Sequence, residues 1–304
     1  MFGLRYHVAS LAAVFVALAV GILLGVAISG RVTDAGEGLE EELLRSENQR
    51  LGQDLEAARA AGEVAERRGE ASEELLARAY PALMEDRLEG ARVAVLFLGP
   101  AEGSVRAEIE GALADADAGA PARVVALDVP VDGEDLHAAF EGDEVLAGYA
   151  DDGEDFFDLG RDLGLELVSG GETPLWDALS TRLVEERSGS SALPVESAVV
   201  ALSWSPADDG EAETAPTVSL MEGLVRGLDT GEVPVVGVAA SDDTPEAIEL
   251  YRDQGISSVD DVDTQAGRLA LALLLAGAEP GHYGLGDEAD GVIPPVDPVS
   301  VEGE

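Results

Sequence analysis

The residue types that most often carry chemistry are few in this chain and lie far apart. Its 304 residues include three His, three Met and no Cys. The histidines stand at positions 7, 137 and 282, and no second His follows at the spacing of a helical metal site. Without Cys there is neither a disulfide nor a thiolate metal site. The residues therefore predict no local metal site and leave the identity of any metal ligand unknown.

Three loops that follow apolar runs are the other places to look for a site. They are Gly99–Ser104, Ser203–Glu211 and Ser241–Thr244. The first lacks both the G-x-G-x-x-G pattern and the Lys of a phosphate-binding loop. The second is rich in carboxylates but does not have the spacing of an EF-hand. No catalytic residue, cofactor-binding residue or cofactor is predicted, and we expect a protein that is not an enzyme.

Alternation of short apolar runs with helical segments indicates how these loops are positioned. Runs that are apolar on both faces are typical of a parallel sheet covered by helices on either side. We therefore predict an α/β domain over residues 90–277 with an open, mainly parallel sheet, and a turn-rich, partly disordered tail over 278–304. The predicted strands are Arg92–Gly99, Arg123–Val129, Ser197–Ser203, Val233–Ala240 and Ser257–Val259. The predicted helices are Ser104–Asp115, Thr173–Glu186, Val218–Leu228, Pro245–Gln254 and Gln265–Gly277.

A long polar helix is predicted before this domain, within a stalk over residues 32–89. Between Glu37 and Tyr80 the chain consists largely of Ala, Glu, Arg and Leu. A coiled-coil seam is predicted at four positions, with Leu44 and Leu51 at d and Asn48 and Leu55 at a. The seam indicates a homo-oligomer, most simply a dimer. A single solvated helix is the alternative, because small residues replace Leu further along.

The first 31 residues are predicted to anchor the chain in a lipid bilayer. Val8–Ser29 comprises 22 residues without a formal charge, which as a helix would rise about 33 Å. An export signal usually has a shorter apolar region, although Ala27–Ser29 could serve as a cleavage site. A buried helix of a soluble protein is the weakest alternative. Arg5 and Arg31 flank the segment almost evenly, and we expect the bulk of the chain to lie outside the cytoplasm.

The net charge limits the kinds of partner that the chain can bind. The chain has 62 acidic and 18 basic residues and a formal charge of −44. Such a surface repels phosphate groups, which excludes binding of nucleic acid. Adaptation to a salty environment explains the acidic surface more simply than a dedicated cation-binding role does.

The opening residues closely resemble the N-terminus of the actinobacterial MctB family, described as copper transporters. The resemblance extends to the charged helix, the α/β domain and a "GHYG" at Gly281–Gly284. It implies a single-pass envelope protein with its bulk outside the cytoplasm, associated with copper efflux, copper tolerance or channel activity. Only this resemblance suggests a role for copper. The residues of the start that carry the resemblance are Leu4, Arg5, His7, Ser10, Leu11, Ala13, Val14, Phe15, Ala17, Leu18, Ala19 and Gly21.

For some relatives the resemblance implies a different role, in the control of cell-wall cleavage. The alternative function is therefore an anchored scaffold without catalytic activity. Its stalk would recruit an envelope partner such as a cell-wall hydrolase. Within the anchor, Ser10 and the small residues Gly21 and Gly25 favour packing between helices over ion conduction.

Overall fold

The structure, a computed structural model, describes residues 11, 13–22, 37–101, 103–150, 155–204, 211–230, 232–241 and 245–296. The chain divides into two units, Met1–Leu75 and Leu76–Glu304. The domain boundaries predicted from the sequence stay a prediction.

The first unit contains most of a long helix, α1 (Glu37–Met84). With 48 residues, α1 extends about 72 Å at a rise of about 1.5 Å per residue. Every residue from 46 to 75 is exposed, and the side chains of Leu51 and Leu55 keep 49% and 45% of their surface accessible. The predicted helix is thus present. Pairing into a coiled coil needs a second chain and stays a prediction.

The second unit is built on a sheet of seven strands, as far as the structure describes it. Their order across the sheet is β3-β2-β1-β4-β5-β6-β7, and all neighbours are parallel except β2 and β3. The predicted mixed α/β fold with a mainly parallel sheet is confirmed. The strands are β1 (Val93–Leu98), β2 (Arg123–Leu127), β3 (Val184–Gly189), β4 (Ser197–Leu202), β5 (Val235–Val238), β6 (Ser257–Val259) and β7 (His282–Tyr283).

Helices cover both faces of this sheet, because the inner strands are apolar on both sides. Along β1, Ala94, Leu96 and Leu98 belong to one hydrophobic cluster, whereas Val95 and Phe97 belong to the other. The first cluster includes residues of α3 to α7, and the second includes residues of α2, α8 and the end of α1. The helices after α1 are α2 (Ser104–Asp115), α3 (Gly133–Phe140), α4 (Phe157–Val168), α5 (Pro174–Leu179), α6 (Glu211–Thr230), α7 (Pro245–Gln254) and α8 (Gln265–Leu275).

One predicted helix is wrong in its second half. The helix expected over Thr173–Glu186 ends at Leu179, and Val184–Gly189 forms β3 instead. This strand is antiparallel and lies at the edge of the sheet, where it pairs with β2 alone. An edge strand is largely solvated and can be polar, so its charged residues gave no strand signal.

Two helices that the sequence analysis did not predict, α3 and α4, lie between β2 and α5. α4 packs closely against α6 through glycines spaced four residues apart on both helices, Gly160 and Gly164 facing Gly223 and Gly227. A Cβ on any of these four would overlap a backbone carbonyl oxygen of the opposite helix. The lack of side chains at these positions allows the two backbones to meet.

Candidate functional site

Successive strands are added to one side of β1 up to β3, and from β4 onwards they are added to its other side. The order of the strands therefore changes direction between β1 and β4. Ligands of open α/β sheets often bind at such a point, beyond the carboxyl ends of the strands. Here Gly99, with φ of +124°, lies so close to the next loop that a Cβ would come within 2.9 Å of Ser203 Oγ. The Ser203 hydroxyl donates to the carbonyl oxygen of Pro100 at 2.8 Å. The described residues of these two loops thus pack on each other.

A wider cleft opens at the carboxyl ends of β5 and β6 and beside β7. Its volume is about 520 Å³, within the range of small-molecule sites. Its wall combines apolar residues, such as Ile248 and Leu285, with five acidic residues, and it includes part of the "GHYG" stretch. The polar residues used below are Ser241, Arg252, Ser258, Asp260, Asp261 and His282.

Asp260 shapes one wall of this cleft. Its two carboxylate oxygens accept the backbone N–H groups of Leu285 and Gly286, each at 2.9 Å. Gly284 lies against the same carboxylate with φ of +145°, and a Cβ there would overlap Asp260 Oδ1. The second glycine of "GHYG" is therefore needed for the close approach of the turn to Asp260.

His282 places an imidazole at the cleft. Its Nδ1 lies 2.9 Å from Ser258 Oγ, and its backbone N–H donates to Asp290 Oδ2 at 2.9 Å. Burial, together with the nearby positive charge of Arg252, lowers the pKa of His282. The side chain of Arg252 is itself paired with Glu288. In the neutral tautomer whose Nδ1–H donates to Ser258 Oγ, Nε2 can accept a hydrogen bond or bind a metal.

Asp261 is the most deeply buried acid of the cleft, with 1% of its surface exposed. Its Oδ2 accepts a hydrogen bond from Thr264 Oγ1 at 3.1 Å, while Oδ1 has no partner among the described residues. Burial raises its pKa to about 6, and the negative charges of Asp260 and Asp263 act in the same direction. Asp261 is thus partly protonated in mildly acidic solution.

The sequence analysis missed these acids. They follow Ser257–Val259, a predicted strand, and residues that follow a strand of a parallel sheet lie at its carboxyl edge. That signal was present in the sequence. Nothing in the sequence indicated that His282 lies beside these acids. The pairing of β7 with β6 brings His282 next to Ser258.

A second, smaller cavity of about 60 Å³ lies beside Arg123, Glu166 and Arg187. The guanidinium of Arg123 is buried and donates to backbone carbonyls, including those of Ser169 at 2.7 Å and Ser190 at 3.1 Å. Its donors hold the chain that follows α4. Arg123 therefore has a structural role.

The potential metal ligands of the sequence do not converge. Met84 and Met221 are both buried, and they belong to the hydrophobic clusters on opposite faces of the sheet. His137 lies on α3, where its ring contacts that of Phe140 with centroids 5.6 Å apart. Within the described ranges, no three His, Cys, Asp or Glu side chains form a group that could hold a metal ion.

Most residues of the predicted anchor lie outside the described part of the chain. This holds for Leu4, Arg5, His7, Ser10 and Gly25. Phe15 and Gly21 lie in the helical stretch 13–22. Within the part of the chain that the structure describes, none of the helices combines the length and the apolar character that a membrane crossing requires.

The predicted seam residues Asn48, Leu51 and Leu55 lie exposed on α1. Leu44 also lies in α1, but its side chain is outside the described part. The seam stays a prediction.

A protein-family model matches nearly the entire chain. Residues 1–294 match the model of a family described as copper transport outer membrane protein, MctB. The chain belongs to the MctB family. The description of the MctB family refers to copper transport and to the outer membrane, and it names no enzymatic activity. No match to this chain is found among curated proteins. The cleft with His282 lies inside the range matched to MctB.

Proposed function

We propose that this chain is a membrane-anchored envelope protein that contributes to copper tolerance or efflux. The match of residues 1–294 to the MctB family is the observation that carries the proposal. The uncharged segment Val8–Ser29 supports an anchor that crosses the bilayer once, with the bulk of the chain outside the cytoplasm.

The proposed contribution to copper tolerance does not use a copper-selective site in the globular domain. Copper(I) prefers Cys and Met, and copper(II) prefers His. The chain has no Cys, and the sheet separates Met84 from Met221. His282 offers one free imidazole nitrogen at the cleft, which is one ligand of the several that a tight site needs. Copper is therefore the cargo of an assembly in which this chain takes part.

A deletion strain tests this function. Loss of the gene should increase sensitivity to copper more than sensitivity to zinc or to high salt. The full chain should restore tolerance, and a chain that lacks residues 1–31 should not. Unchanged copper sensitivity in the deletion strain would contradict the proposal.

The exposed leucines of α1 favour a second candidate, a scaffold that recruits an envelope partner such as a cell-wall hydrolase. Leu51 and Leu55 present apolar surface on a part of α1 whose other residues are mostly polar residues and Ala. We propose that this surface pairs two copies of the chain and thereby presents the stalk to its partner. The same deletion strain discriminates the functions, because a scaffold predicts defective cell separation with normal copper tolerance.

A further inference from the structure

Charged residues flank the seam of α1 at positions that fit a second copy of this chain. With Leu51 at d and Leu55 at a, Asp54 occupies position g and Arg59 the following e. Two heptads later, Arg68 at g is followed by Glu73 at e. The sequence has the same pattern at the start of the helix, with Glu at 40 and Arg at 45. At each of these places the two charges are opposite.

Opposite charges at g and the following e have a defined meaning in coiled coils. In a parallel, in-register dimer, the g side chain of one helix lies beside the e side chain of the next heptad of its partner. Asp54 would then face Arg59 of the second copy, and Arg68 would face Glu73. The two-fold symmetry makes each pair occur twice. In an antiparallel dimer the g positions face each other instead, and this match is lost.

These charges are available in the single chain. Asp54 and Arg59 are five residues apart, so they do not face each other along one helix. The ion pair that Asp54 makes with Arg50 is long, at 3.9 Å, and both side chains are largely exposed. Such a pair contributes little to stability, and Asp54 can leave it for a partner across an interface.

The composition of the chain makes this arrangement informative. Acidic residues outnumber basic ones along α1, yet none of its five successive g–e pairs from position 40 to position 73 brings two acids together. Three of these pairs have opposite charges, and the other two contain an uncharged residue, Gly52 or Ala61. Between Leu55 and Leu76 the seam positions carry small residues, and Cβ atoms at Gly62 and Gly69 would meet nothing within 4 Å. The helix surface there is open to the close approach of a second backbone.

We propose that two copies associate through α1 as a parallel, in-register coiled coil. Asp54–Arg59 and Arg68–Glu73 are the ion pairs that set its orientation. This inference rests on the self-association of the stalk proposed above and adds its direction and register. The parallel orientation places both N-termini at one end, as two anchors in one bilayer require.

Cysteine crosslinking of the full chain in mild detergent tests the orientation, because the natural sequence contains no Cys. The single substitutions Leu51→Cys and Ala65→Cys lie at d positions about 21 Å apart. In a parallel, in-register dimer each should form a disulfide with its own copy under mild oxidation. Gln53→Cys, at position f on the outer face, is the matched control and should crosslink at least tenfold less.

The outcomes separate the inference from the proposals on which it rests. If light scattering shows a dimer but at most one of the two d-position variants crosslinks, the parallel, in-register arrangement is contradicted. The self-association of the stalk would still stand. A monomer at tens of micromolar would contradict the self-association of the stalk as well. Neither result alters the copper sensitivity of the deletion strain, which tests the proposed function separately.

Reversal of one charge pair tests the ion pairs themselves. Arg68→Glu should weaken dimerisation about fivefold, since it places two acids together at both symmetric positions. The double substitution Arg68→Glu with Glu73→Arg should restore the dimer and both crosslinks. Failure of the second change to restore it would show that residues 68 and 73 do not meet across the interface. The measurements belong in moderate salt, which screens the general repulsion between two acidic chains.

Discussion

At the scale of single residues, burial determines the protonation of the cleft. It raises the pKa of Asp261 to about 6 and lowers the pKa of His282, because both charged forms lose contact with water. The acid and the base thus both shift towards their neutral forms. Below about pH 6 the neutral carboxyl group of Asp261 can donate a hydrogen bond, and a neutral imidazole at His282 has one acceptor nitrogen.

Replacement of Asp261 by Asn should stabilise the protein above pH 6. An acid whose pKa is higher in the folded than in the unfolded chain binds more protons when folded, so its contribution to stability falls as the pH rises. For Asp261 the loss of stability occurs between pH 3.8, the ordinary pKa of an Asp side chain, and about pH 6, its pKa in the folded chain. Above that range the loss is complete. The gain of Asp261→Asn should be on the order of 1–3 kcal/mol at pH 8.

Urea unfolding of the natural chain and the variant at pH 4, 6 and 8 measures this effect. The difference in free energy of unfolding should grow from pH 4 to pH 6 and then level off. Asp287→Asn, at an exposed position of the same cleft, serves as the control and should change stability by less than about 0.5 kcal/mol. An Asp261→Asn variant that is less stable at pH 8 would show that the negative charge is required.

At the scale of elements, the crossing of α4 and α6 depends on four glycines. We expect Gly227→Ala to destabilise the fold by about 1–3 kcal/mol, because its Cβ would overlap the carbonyl oxygen of Arg161 and force the helices apart. Gly111→Ala on α2 makes the same chemical change where a Cβ meets nothing within 4 Å. This control should stabilise the protein by about 0.5–1 kcal/mol, since Ala is the better helix former.

Thermal unfolding of the two variants measures the opposite effects. A similar gain for both would mean that the helices can separate without loss of packing. Gly164→Ala, on the other helix of the same crossing, should behave like Gly227→Ala.

At the scale of the whole molecule, the fate of the N-terminus decides where the chain resides. We predict that Val8–Ser29 is retained, since its 22 uncharged residues exceed the usual length of a signal-peptide core. Intact-mass measurement of protein extracted from membranes should include residues before Gly30. A mature chain that starts at Gly30 would identify the segment as a cleaved export signal.

Binding of copper to residues 32–304 is also a property of the whole molecule. We predict weak binding without selectivity over other divalent ions, because the chain carries many carboxylates while Met84 and Met221 lie buried on opposite faces of the sheet. Titration with copper(I) and copper(II) against a competing chelator measures the affinity. His137→Ala and His282→Ala should leave it unchanged, and a tight stoichiometric site lost in either variant would refute the prediction.

The sequence by itself determined the central part of the sheet and the family. Strands β1, β2, β4, β5 and β6 all lie within predicted runs, and β6 agrees to the residue. Burial on both faces requires continuous apolar sequence, so inner strands leave a clear signal. The long helix α1 was equally evident, because a solvated helix of this length needs uninterrupted helix-forming residues. The opening residues carried the resemblance that the family match confirms.

The tertiary structure alone decided the edges of the sheet and the cleft. β3 and β7 are short or polar strands whose pairing depends on β2 and β6, which are distant in sequence. The pairing of β7 with β6 brings His282 beside Ser258, 24 residues earlier, and so completes the wall of the cleft. Local sequence encodes the burial of each segment, whereas the pairing of two segments that are distant in sequence follows from the packing of the chain between them.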